Sequence, residues 1–249
     1  MSTGKVWLIG AGPGDVELLT LKAVRALGEA AVVLIDDLVN REVLQFVQAG
    51  ARVIEVGKRG GCRSTPQAFI ERKMLQLARE GLVIARVKGG DPYVFGRGGE
   101  EVETLTRAGI VVEVVNGITA GIGVPAALGI PVTHRAFCRG VTFITGNSGA
   151  PIDWKALANG GTTLVIYMGL TNLAGIVSGL RSAGMAAAMP VAVVQNGTLP
   201  TQRSVVSELD HVVAAVAEVG LASPALVVVG EVVRFAKSKQ IQELIRKRA

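Results

Sequence analysis

The stretch Val87–Glu101, VKGGDPYVFGRGGEE, gathers the residue types with which a chain lets its own backbone reach a ligand. Five glycines and one proline interrupt a hydrophobic strand there. Glycine allows N–H and C=O groups to approach a bound molecule with no Cβ in the way, and it tolerates positive φ. Asp91 and Pro92 redirect the chain, and Glu100 and Glu101 suit the positive N-terminal end of a helix expected over 98–108. A second glycine loop, Gly10-Ala11-Gly12-Pro13-Gly14-Asp15, follows the apolar run Lys5–Ile9 and precedes a helix expected over 17–27. Its spacing departs from the dinucleotide fingerprint G-x-G-x-x-G, because Asp15 occupies the sixth position and Pro13 removes an N–H that a pyrophosphate would use. A phosphate cradle is therefore disfavoured. Asp36 and Asp37 end the next strand, near where a ribose-binding acid would sit, so a nicotinamide-dependent dehydrogenase stays open as an alternative.

Other chemistries have little to draw on. Cys62 and Cys138 match no C-x-x-C or Cys/His pattern and read as free thiols. The two histidines, His134 and His211, are too few for a zinc site or a histidine-based triad, so no metal is expected. The net charge is +6, and between Arg52 and Lys88 nine Lys or Arg stand against three acids. Such a bias calls for an anionic partner. With aromatic residues at 4% and no stacking pattern or recognition helix, a small polyanion suits it better than nucleic acid.

These loops need a scaffold that presents strand ends. Residues 1–115 alternate strand signals (5–9, 32–35, 52–56, 82–88, 111–115) with helix signals (17–27, 41–48, 66–80, 98–108), the rhythm of crossovers in a mainly parallel sheet. Ligands in such sheets bind beyond the carboxyl ends of the strands, where both glycine loops fall. The glycine- and alanine-rich segment 116–131, with a short helix around 121–127, leads into a second α/β unit with strands near 140–145, 162–168, 189–195, 202–207 and 225–229. Asn196-Gly197-Thr198 marks a hairpin and hence a mixed sheet. The expected organisation is an N-terminal α/β domain over 1–116 and a C-terminal one over 117–249, with the active site in the cleft between them. Hydrophobic residues make up 49% of the chain, but Gly, Pro or charge breaks every apolar run well short of about 18 residues, which speaks for buried parallel strands rather than a membrane protein. The first residues lack a cleavable signal pattern, and a cytoplasmic protein is expected. The tail over 237–248 reads as a basic amphipathic helix with a solvated charged face.

Four stretches in this order, VWLIGAGPGD (6–15), VGKRGGCRSTPQ (56–67), VKGGDPYVFGRGGEE (87–101) and VNGITAGIGVPAALGIPVTHR (115–135), resemble the tetrapyrrole methyltransferases that use S-adenosylmethionine. With the weaker YMG (167–169) and the region 195–202, the resemblance covers nearly the whole chain. It implies C-methylation of uroporphyrinogen III at two ring carbons to give precorrin-2 through precorrin-1, with S-adenosylhomocysteine as by-product and no metal. By the same resemblance Pro13, Gly89, Gly90, Asp91, Val94, Thr119, Ala120, Met168, Gly197 and Ala225 would hold the donor. Asp36 would act as base and Lys58 as proton donor, with Arg97 a rival for proton handling. Arg41, Arg59, Arg63, Arg135 and Arg139 would meet the octacarboxylate acceptor, since guanidinium groups hold carboxylates in bidentate fashion, and Glu100 would also lie at the acceptor site. A homodimer is implied as well. The length leaves no room for an attached dehydrogenase, chelatase or synthase domain, so a stand-alone methylase is expected. The alternatives are a methylase of another precorrin, the nicotinamide enzyme, and a protein that binds tetrapyrrole or nucleic acid without turnover.

Overall fold

A computed structural model describes residues 4–57, 66–147, 149 and 151–236. Lys58, Arg59, Cys62, Arg63 and the tail 237–249 lie outside the described residues. The chain divides into two compact units, Met1–Thr119 and Ala120–Ala249.

In the first unit β1 (Lys5–Gly10), β2 (Val32–Ile35), β3 (Arg52–Glu55), β4 (Val83–Lys88) and β5 (Val111–Val115) form one sheet in the order β3-β2-β4-β1-β5. Every pairing is parallel, as the strand–helix rhythm predicts. Alternation along the strands feeds two cores. Trp7, Ile9, Val33, Ile35, Ala85 and Val87 pack with Ala23, Ala26 and Leu27 of α1 (Leu21–Glu29). Val6, Val32, Leu34 and Ile84 pack with Ile70, Met74 and Leu77 of α2 (Gln67–Arg79) and Leu105 of α3 (Gly98–Arg107). Both faces of the sheet are covered, which is why its inner strands read as nearly continuous apolar runs.

Two expected helices take a different form. The segment 17–27 is broken: a 3-10 turn over Val16–Leu18 ends at Leu19, and α1 starts afresh after Thr20, whose hydroxyl accepts the Ala23 N–H at 3.1 Å. A threonine with a better use as a cap than as a helix-interior residue explains the break. The segment 41–48 is a 3-10 helix over Arg41–Phe46, capped by Asn40, whose side chain accepts the Glu42 N–H.

In the second unit β6 (Val141–Thr145), β7 (Thr163–Tyr167), β8 (Pro190–Gln195), β9 (Arg203–Glu208) and β10 (Ala225–Val229) follow the order β6-β7-β10-β8-β9. Only β6 and β7 run parallel, so the sheet is mixed, and β8 and β9 pair antiparallel across the turn at Gly197. One face carries the short α5 (Trp154–Asn159), α6 (Leu173–Ser182) and α7 (Val212–Val219), the other α4 (Ala120–Ala127).

Candidate active site

In the first unit, four loops converge at the carboxyl ends of β1, β2, β4 and β5. The two glycine loops are joined by a reciprocal backbone bridge: Gly90 N donates to Gly12 O at 2.7 Å and Gly12 N to Gly90 O at 3.2 Å. Ala11 N is also spent, on Lys88 O at 2.8 Å. The N–H groups a pyrophosphate would want are thus bonded within the protein, and the first full helix begins only at Leu21. This arrangement disfavours the dinucleotide reading on geometry as well as on spacing.

The loop after β5 meets both glycine loops at closest approach. A Cβ on Gly117 would lie 2.2 Å from Gly90 O and 2.7 Å from Gly10 C. Asp91, nearly buried, locks this junction: its Oδ1 accepts the Tyr93 N–H at 2.8 Å, and its Oδ2 accepts from Asn116 Nδ2 and Gly117 N, each at 3.2 Å. The loop after β2 is tied in by Asn40, whose Nδ2 donates to Gly14 O at 2.9 Å. Pro13, Asp36, Arg41, Gly89, Gly90, Asp91, Val94, Arg97 and Thr119 therefore belong to this set of strand-end loops.

Local strain marks the glycine loop. Phe95 and Arg97 hold φ values of 54° and 58°, which non-glycine residues adopt only when their surroundings enforce them. Arg97 is the N-cap of α3, and its exposed guanidinium donates from Nε to Glu100 Oε1 at 2.9 Å in a forked pair. That hydrogen bond raises the Arg97 pKa and lowers that of Glu100. Arg41, half exposed, pairs with Glu55 at 3.3 Å.

Beneath the loops lies a buried cluster absent from the sequence reading. Arg86 and Lys88 occupy alternate positions of β4, on the same side as Ile84, and so meet α2 and α3. Arg86 Nε lies 3.1 Å and Lys88 Nζ 3.3 Å from Glu101 Oε1, which also accepts Gln67 Nε2 at 2.9 Å. On its other side Arg86 reaches Asp36 Oδ1 at 2.7 Å, and Lys88 reaches Asp36 Oδ2 at 3.5 Å. Burial pushes the Lys88 ammonium below its ordinary pKa, and the neighbouring guanidinium adds to the effect. For Arg86 burial acts the same way, but the two carboxylates outweigh it and its pKa rises. Arg86 and Lys88 are therefore not part of the outward basic bias counted between Arg52 and Lys88. The signal was present in VIARVK, since two cations in a buried strand require partners.

In the second unit, Tyr167 ends β7 and its hydroxyl accepts the Gly121 N–H at 2.6 Å, fixing the first turn of α4 beside Ala120. Met168 follows, half exposed and at φ 54°. A Cβ on Gly197 would lie 2.4 Å from the Val124 side chain, which places the hairpin turn against the same helix. Ala225 opens β10 opposite Gln195, and Asn196 N donates to Pro224 O at 3.2 Å. Ala120, Met168, Gly197 and Ala225 thus gather around α4 and the adjoining strand ends. Arg135 and Arg139 are exposed in the segment between α4 and β6. Among the described residues no group of three or more His, Cys, Asp or Glu is placed to hold a metal, and no helix is long and apolar enough to cross a membrane.

Residues 5–213 match the sequence pattern of the family described as Tetrapyrrole (Corrin/Porphyrin) Methylases. The uroporphyrinogen-III C-methyltransferase of Pseudomonas aeruginosa is 54% identical over 241 residues, covering 96% of this chain and 98% of the relative. The uroporphyrin-III C-methyl transferase of Thermus thermophilus, solved in complex with S-adenyl homocysteine, is 41% identical with a TM-score of 0.80, over 93% of this chain and 99% of that one. A cobalt precorrin-4 methyltransferase of cobalamin biosynthesis superposes with a TM-score of 0.82 at 27% identity, over 92% and 95% of the two chains. With that pattern spanning both α/β units, the chain belongs to the tetrapyrrole (corrin/porphyrin) methylases.

Proposed function

We propose that this protein transfers methyl groups from S-adenosylmethionine to two ring carbons of uroporphyrinogen III, giving precorrin-2 through precorrin-1. The observation that carries the reading is the bridged pair of glycine loops with Asp91 locked beside them. Both Asp91 oxygens are occupied by internal donors, so at the junction of the loops Asp91 presents no free carboxylate and the surface offered there is backbone and apolar. That suits a cationic donor which becomes neutral as it reacts: a carboxylate gripping the sulfonium would stabilise the ground state more than the transition state. The identities of 54% and 41% to proteins named for this reaction favour it over a later precorrin, for which the likeness falls to 27%.

When bound, S-adenosylmethionine supplies an electrophilic methyl carbon. The protein's part is to hold that carbon in line with the attacking ring carbon and to exclude water. Donor positions are assigned to Pro13, Gly89, Gly90, Asp91, Val94 and Thr119 in the first unit and to Ala120, Met168, Gly197 and Ala225 in the second. Methylation leaves a cationic, imine-like ring that must lose a proton. Asp36 is assigned as acceptor of that proton and Lys58 as proton donor. Arg97, opened from its fork with Glu100, would engage the acceptor, with Arg41, Arg59, Arg63, Arg135 and Arg139 meeting its carboxylates. A homodimer and a cytoplasmic setting complete the proposal, and light scattering reads the first.

Anaerobic incubation with S-adenosylmethionine and uroporphyrinogen III tests it. Product mass should rise by two methyl groups; donor binding with no mass change would assign the chain to another precorrin. Asp36→Ala and Lys58→Ala are each expected to slow turnover by roughly 100-fold or more, the scale of a lost general acid or base. Wild-type turnover in either variant removes that residue from proton transfer. Arg97→Ala should raise the KM for uroporphyrinogen III and lower kcat, read from the same assay.

A further inference from the structure

We propose that Lys88 is a positioning residue for the methylation chemistry: its ammonium, together with Arg86, fixes the carboxylate of Asp36 at the mouth of the strand-end loops, while Glu101 supplies the internal counter-charge. The inference rests on the assignment of Asp36 in the proposed function.

Four observations carry it. Of the four charged groups, the side chains of Arg86, Lys88 and Glu101 are 1%, 5% and 0% exposed, whereas Asp36 is 28% exposed. The cluster therefore reaches solvent mainly through Asp36. Lys88 is too deep to meet an acceptor carboxylate itself, and its consequence for the site must pass through another group. Each oxygen of Asp36 is taken by a different cation, Oδ1 by Arg86 at 2.7 Å and Oδ2 by Lys88 at 3.5 Å. Two cations on two oxygens fix the rotation of the carboxylate as one could not. Asp36 N also donates to Val87 O at 3.1 Å, so main chain and side chain are both held to β4.

Lys88 is also where the acid and the glycine loops are joined. Its carbonyl accepts Ala11 N from the first loop, and the chain passes directly from it into Gly89 and Gly90 of the second. Burying a cation is costly unless it is paired, and a buried pair is weak evidence of a gain in stability, since apolar residues of similar size often serve as well. A position in the core of β4 that uses lysine instead is explained by what the ammonium holds. Glu101 completes the arrangement: it lies in the first turn of α3, where a carboxylate is favoured, and its Oε1 draws both cations together.

The test is a double-mutant cycle on Lys88→Met and Asp36→Asn, measuring kcat, the KM for uroporphyrinogen III and the Kd for S-adenosylhomocysteine. Lys88→Met alone should lower kcat by about 10- to 100-fold, the scale of groups that orient a functional residue from behind, while the Kd stays within about 2-fold. In the Asp36→Asn background the same change should alter kcat by less than about 3-fold, because the group it positions is already lost. Lys88→Arg, which keeps the charge, should restore most of the rate. A Lys88→Met loss that multiplies in full with that of Asp36→Asn, or a Kd that weakens as much as the rate falls, would reduce Lys88 to a structural residue and overturn the inference. Wild-type turnover in Asp36→Asn alone would instead strike at the assignment of Asp36, and the inference would fall with it. Should Lys88→Met not fold, Lys88→Met with Glu101→Gln removes one charge of each sign and carries the same cycle.

Discussion

Gly117→Ala is expected to weaken S-adenosylhomocysteine binding by about 10- to 100-fold, the scale of the roughly 1–3 kcal/mol that forcing extra atoms into a filled site costs. The added Cβ would stand 2.2 Å from Gly90 O, 2.7 Å from Gly10 C and 2.8 Å from Gly10 Cα. All three are backbone atoms, so no side chain can rotate away, and the loop after β5 must separate from both glycine loops. That separation would also pull Gly117 N from Asp91 Oδ2 and carry Thr119 off its position. Calorimetric titration with S-adenosylhomocysteine measures the effect. Gly28→Ala is the matched control: it lies within α1, its Cβ would meet only Phe46 O at an ordinary 3.7 Å, and alanine raises helix propensity there. Unchanged affinity in Gly117→Ala would mean that the junction of the three loops does not shape the donor site.

Much of this architecture was legible in the residues because its causes are local. Parallel strands buried on both faces announce themselves as apolar runs, and the glycine loops announce strand ends that need close backbone approach. The ten strands of the described residues fall within a residue or two of the expected spans. The helix expected over 17–27 is broken because the hydroxyl of Thr20 caps a new helix, while apolar residues continue on both sides of that position and give no sign of the break. The site was legible only where it is made of sequence-adjacent residues. Asn40 reaching Gly14, Asn116 and Gly117 reaching Asp91, and Gln67 reaching Glu101 join residues 25 to 34 positions apart, and no periodicity reports such pairs. A charge count includes Arg86 and Lys88 in the basic bias between Arg52 and Lys88 because it does not register which way a strand residue points. Alternation against Ile84 and Val87 would have turned both inward.

The stability of the first unit should depend strongly on that inward pair. Arg86→Met is expected to cost about 3–5 kcal/mol, the usual effect of removing one partner from a buried ion cluster. Arg86 contacts both acids at once, and without it Lys88 is the cation left to Asp36 and Glu101, with Gln67 still donating to Glu101. Glu101 has no recourse to water, being fully buried, and its Oε2 already lacks a hydrogen-bond partner among the described residues. The loss therefore comes mainly from a stranded charge rather than from missing attraction, and this distinction can be measured. Arg86→Met combined with Glu101→Leu removes the cation and the acid most in need of it, leaving Asp36 paired with Lys88. It should be less destabilised than Arg86→Met alone, because replacing both partners of a buried interaction avoids an unpaired group. Urea unfolding reads both variants, and the two tryptophans make the reading specific to the unit. Trp7 lies in the core of the first sheet and Trp154 begins α5 of the second unit, so Trp154→Phe leaves fluorescence that reports on β1. A loss below about 1 kcal/mol for Arg86→Met would show that the carboxylates find other partners, while a double variant weaker than the single would assign the cost to lost packing instead of stranded charge.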